Sequence, residues 1–88
     1  MFSLPLYVGI DYHQKTIQVC VMDQNRKILA RQAVENDPEA AFHTVAPYGS
    51  NVHATIEAST DVAEFVEILI TTYHWSVEPA HPGYVASK

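Results

Sequence analysis

Lysine and arginine are scarce in this sequence: five of 88 residues, against ten aspartates and glutamates. The net charge of −5 has the wrong sign for a stand-alone module that grips phosphates through counterion release, so a nucleic-acid partner would need a basic surface of another origin. A single cysteine, Cys20, excludes an internal disulfide, and no Cys/His cluster has zinc-site spacing. No apolar run approaches the roughly 20 residues that span a bilayer, and the opening lacks a basic region and meets Pro5 almost at once. The expectation is a soluble, cytoplasmic chain with no membrane partner. Three glycines, no repeat and no Gly/Ser linker leave no place for an internal boundary, so a single domain is expected over 1–88.

What is present is the balance of a globular domain, 48% hydrophobic and 17% charged. Leu6, Val8 and Ile10 alternate with Tyr7, Gly9 and Asp11, which predicts a first strand ending at Asp11. After a polar stretch from Tyr12 to Lys15, Ile17, Val19 and Val21 alternate over 16–23 as a second strand. The turn residues 23–26 then lead into a third strand from Ile28 to about Glu35. Strands joined by such short turns are antiparallel neighbours.

The period then changes. Asp37 as N-cap, Pro38 at the first helical position and Glu39 mark a helix whose buried stripe is Ala41, Phe42 and Val45, stopped by Gly49. Val52, Ala54 and Ile56 form a fourth strand ending at Glu57. Asp61 with Glu64 resembles a capping box for a second helix carrying Val62, Phe65, Val66, Leu69 and Tyr73 on its apolar side. Trp75 to Ala80 completes a fifth strand, closed by Pro82 and Gly83. Right-handed crossovers then give an α/β domain with a mixed five-stranded sheet in the order 3-2-1-4-5 and helices on one or both faces. That order resembles the ribonuclease H-like arrangement, which actin-like ATPase domains share.

In this order the first and fourth strands are parallel neighbours, each ending in an acid. Asp11 and Glu57 then sit side by side on the face opposite the buried residues, above Gly9 and Thr55. Ionised carboxylates so close repel unless a cation lies between them, and hard oxygen ligands suit magnesium or manganese. A phosphodiester-cutting site of this kind uses two metals held by three or four carboxylates. Taken singly, an acid at a strand end is equally a solvated boundary residue or a cap; the pairing on adjacent strands is what singles these two out. His13 and Lys15 lie in the first turn, where either could touch a substrate phosphate or simply be solvated. Cys20 reads as a small buried hydrophobe, and Phe65, Tyr73 and Trp75 as core.

Residues 7–23, YVGIDYHQKTIQVCVMD, resemble the opening of the DEDD-type insertion-sequence transposases, the IS-one-ten group that includes the Piv site-specific DNA invertases. Residues 56–60, IEAST, then a helix, then WSVEPAHP at 75–82 and Val85, resemble that family's Glu-Ala-Thr/Ser segment and Pro-containing strand end. The resemblance implies a RuvC-like nuclease domain acting on DNA in transposition and recombination, with magnesium or manganese as cofactor and an element-encoded RNA among the partners. Asp11 and Glu57 match the first two of its four metal-binding acids. The other two acids and the family's serine-bearing C-terminal domain have no counterpart in 88 residues, so the resemblance implies the N-terminal piece of a transposase, with no cleavage expected of the chain alone. The family's Gly and aromatic after the Glu-Ala segment are replaced by Asp61, Val62 and Ala63, which adds a negative charge there.

Two other functions compete. An actin-like ATPase or sugar-kinase half also opens on Gly-Ile-Asp, but that class cradles phosphate with glycine in the first turn, and 12–15 contains none. A non-catalytic folded remnant is the third reading, with a homodimer formed through exposed aromatics of the helix-to-strand junction.

Overall fold

The computed structural model describes residues 4–79. The strands are β1 (Leu6–Tyr12), β2 (Thr16–Met22), β3 (Ile28–Glu35), β4 (Val52–Glu57) and β5 (Ser76–Pro79). The helices are α1 (Pro38–Val45), extended by a short 3-10 turn at Ala46–Tyr48, and α2 (Ala63–Thr71). The sheet order is β3-β2-β1-β4-β5, with β1–β2 and β2–β3 antiparallel and β1–β4 and β4–β5 parallel. The strand order and the two helices agree with the sequence reading. The fifth strand starts one residue later than expected, at Ser76, and Ala80, Pro82, Gly83 and the family-like positions 81–85 lie outside the described residues.

Period-two patterning explains the layers. Leu6, Val8 and Ile10 of β1, Ile17, Val19 and Val21 of β2, and Val52, Ala54 and Ile56 of β4 are all buried, and they form one cluster with Ala41 and Val45 of α1 and Phe65 and Leu69 of α2. Both helices therefore cover the same face. The alternate residues line the other face, which no helix covers among the described residues. This open face consists of three rows set by register. Met22, Tyr7, His53 and Ser76 form the first; Arg31, Cys20, Gly9, Thr55 and Glu78 the second; Ala33, Gln18, Asp11 and Glu57 the third. Cys20 is accordingly half-buried beside Gly9 rather than in the core, because its strand position puts it on the uncovered side.

The helix ends follow local chemistry, with two departures. Asp37 caps α1 as expected, its Oδ1 accepting from the Glu39 N–H at 3.1 Å, a cap worth about 1 kcal/mol. At α2 the N-cap is Val62, with no side-chain cap, and Asp61 accepts from the Ala63 N–H at 2.9 Å across an Asx-type turn. The expected capping box does not form because the helix starts one residue later than a cap at Asp61 requires. Tyr73 likewise lies beyond the end of α2. It packs instead by stacking on Phe42, ring centroids 4.3 Å apart. His74 turns the chain back with a left-handed φ of 62°, and the N–H groups of His74 and Trp75 reach the carbonyls of Ile70 and Leu69. That reversal buries Trp75 at the head of β5.

Candidate functional site

Strand β1 runs one residue past the expected end, so Asp11 is a strand residue rather than a terminal one. It is the register partner of Glu57 across the parallel β1–β4 pair, with Gly9 opposite Thr55 two residues earlier. Adjacent strands lie about 4.8 Å apart. Both acids are exposed on the open face, at the carboxyl edge of the two central strands. Tyr12 points the other way and packs edge-to-face on Phe65, centroids 5.2 Å apart, which anchors the end of β1 to α2.

The turn that follows positions His13. Its N–H donates to the Thr16 carbonyl, and its Nε2 lies 3.2 Å from Asp11 Oδ2. His13 is therefore a neighbour of the carboxylate rather than an unattached turn residue. Lys15 lies in the same turn, exposed, and among the described residues it forms no ion pair. The sequence reading gave no role to Asn36, yet its side-chain amide donates to the carbonyls of His13 and Gln14 at 2.7 and 3.2 Å. Its backbone N–H donates to the Lys15 carbonyl at 3.1 Å. Asn36 thus clamps the turn from a distant part of the sequence. No local pattern carries such a contact, since Asn36 also sits in an ordinary run of helix-start residues.

Electrostatically, the edge presents two carboxylates and one imidazole, with no lysine or arginine paired to either acid among the described residues. Among the described residues no three His, Cys, Asp or Glu side chains gather into a metal-holding group. Asp11 and Glu57 are chemically suited to magnesium or manganese, but two carboxylates fall short of the three or four that hold a two-metal centre. No catalytic step is assigned to the chain by itself.

A second feature of the open face lies toward the other end of the strands. Tyr7, Met22, Arg26, His53, Thr55 and Glu78 border a depression of about 410 Å³. The Tyr7 and His53 rings are 5.7 Å apart, and the Arg26 guanidinium lies 5.0 Å from the centre of the Tyr7 ring. No helix among the described residues is long and apolar enough to cross a membrane. No protein-family model matches the chain, and no curated protein sequence matches it.

Proposed function

We propose that the chain is the first part of a ribonuclease H-like, RuvC-type nuclease domain of a DEDD-type insertion-sequence transposase. The whole enzyme's activity would be metal-dependent strand cleavage and transfer in DNA transposition, with none expected of this chain alone. The observation that carries this reading is the register partnership of Asp11 and Glu57 on the two central parallel strands, on a face left open by both helices. Neither packing nor helix capping accounts for two carboxylates fixed in this relation by main-chain pairing, since neither is buried and neither caps a helix. Asp11 and Glu57 would hold a divalent cation, which would supply Lewis-acid chemistry at the phosphodiester once the remaining acids complete the centre. The role of Asp11 and Glu57 is to ligate that cation; the role of His13 is to orient Asp11; Lys15 is available to a substrate phosphate. The remaining acids would come from residues that this sequence does not contain.

Nicking of supercoiled plasmid, in magnesium or manganese, by the product of the source gene read through the codon for Lys88 tests the reading. Nicking that is lost in both Asp11→Ala and Glu57→Ala supports it. Nicking that survives both substitutions, or a reading frame with no further acids, contradicts it.

A further inference from the structure

The sheet has two edges, and they are built differently. Strand β5 has four described residues and carries Glu78 and Pro79, a charge and a proline of the kind that blunt an edge. Strand β3 is eight residues long and contains neither proline nor lysine. It is the last strand on its side among the described residues, and Arg31, Gln32, Ala33 and Glu35 are exposed. The direction of its main-chain groups follows from the pairing with β2. The Asn36 N–H donates to the Lys15 carbonyl beside the Thr16–Glu35 pair, so Glu35 occupies a non-hydrogen-bonded position and its own N–H and C=O point away from β2. Alternation gives Ala33 and Arg31 the same outward main chain, since the register shift of this pair lies further on, at Val21/Met22.

This edge is complementary to itself. When a second copy runs antiparallel with Ala33 opposite Ala33, each Arg31 falls opposite a Glu35. All three positions have outward N–H and C=O groups, so the register that completes their hydrogen bonds also pairs the charges, twice. A slip of two residues sets Glu35 against Leu29 or Ala33 and loses the match. Within its own chain Arg31 faces Cys20 and Glu35 faces Thr16, and neither forms an ion pair among the described residues. Ala33, exposed at the centre, is small enough to let two main chains close to strand spacing. The aromatics of the helix-to-strand junction offer no rival surface: Phe65 and Trp75 are buried, and Tyr73 stacks on Phe42.

We infer that a second copy of this chain pairs with β3 edge to edge, antiparallel, in the register that sets Arg31 of each copy against Glu35 of the other. The two-fold axis stands perpendicular to the sheet at Ala33, so two five-stranded sheets join into one. The helices of both copies then lie on one side, and both open faces, each with its Asp11 and Glu57, lie on the other. A single strand edge buries less than a standard interface, so the dimer is weak and concentration-dependent. The inference goes beyond the nuclease reading and does not rest on it.

Sedimentation equilibrium of the 88-residue chain at concentrations up to about 1 mM reads the association. Arg31→Glu and Glu35→Arg should each weaken it about tenfold or more, because each sets like charges opposite one another at two places. The double variant restores opposite charges in the same register and should associate as the wild type does. A covalent trap reads the register at any affinity. In a Cys20→Ser background, Ala33→Cys should oxidise to a disulfide-linked dimer, whereas Gln32→Cys, two residues out of step with its own copy, should not. Trapping confined to Ala33→Cys supports the inference even where sedimentation finds only monomer. Equal trapping of both variants, or of neither, overturns it. So does association that charge reversal leaves unchanged, that the double variant fails to restore, or that is lost in Tyr48→Ser, which would place the contact on the exposed Leu29 and Tyr48.

Discussion

Asp11 and Glu57 are register partners on neighbouring parallel strands, and the His13 imidazole lies 3.2 Å from the Asp11 carboxylate. Main-chain hydrogen bonding, not side-chain packing, makes the two acids neighbours, so their juxtaposition is built into the sheet.

That juxtaposition has a measurable consequence. In metal-free buffer Glu57→Gln should raise Tm by about 2 °C, because like charges directly opposite destabilise a strand pair, while Asp11→Asn, which also gives up the contact with His13, should raise it less. Excess magnesium should stabilise the wild type more than either variant. Thermal denaturation with and without the cation reads both effects.

Arg26 is a second place where the sequence works against local preference. Relief of the left-handed φ and loss of the contact with Tyr7 oppose each other, so Arg26→Gly should leave stability within about 0.5 kcal/mol of the wild type. Arg26→Ala keeps the strain and loses the contact. It should fall about 1 kcal/mol below Arg26→Gly in urea unfolding.

At His74, among the described residues, no side-chain hydrogen bond or ring contact offsets the strain. With φ of 62° after α2, it occupies the position that glycine fills in most helix terminations. His74→Gly should stabilise by about 0.5 to 1 kcal/mol, and β-branched His74→Val should destabilise by a similar amount; chemical denaturation measures both.

The first turn depends on Asn36. Asn36→Ala removes two hydrogen bonds to carbonyls of the turn, at a cost of about 1 kcal/mol in stability. Amide hydrogen exchange should rise at 13–15 more than in the core strands. Uniform acceleration across the sheet would instead indicate a global loss of stability.

The legibility of the molecule followed how local its determinants were. Alternation over Leu6–Ile10 and Val52–Ile56 carried the strands and the face on which Asp11 and Glu57 lie, because a period of two fixes sidedness residue by residue. Short turns and helical crossovers then left one economical strand order. Asp37 was readable because a cap, a proline and an acid fall in consecutive positions. Asp61 misled because an aspartate can close an Asx turn as readily as it caps a helix, and Val62 took the cap position. Tyr73 continued the helical spacing past the point where His74 reverses the chain. The clamp from Asn36 and the Tyr7–Arg26 contact join residues far apart in the chain, and neither leaves a periodic trace.

The central claim is that Asp11 and Glu57 together form a divalent-cation site, and paramagnetic broadening by manganese in a two-dimensional amide NMR spectrum tests it most directly. Substoichiometric manganese is predicted to broaden the resonances of Gly9–Tyr12 and Thr55–Ala58 first, and Asp11→Asn or Glu57→Gln to abolish this localisation. Broadening centred instead on Glu64 and Glu67 of α2, or spread evenly over all exposed acids, would contradict it.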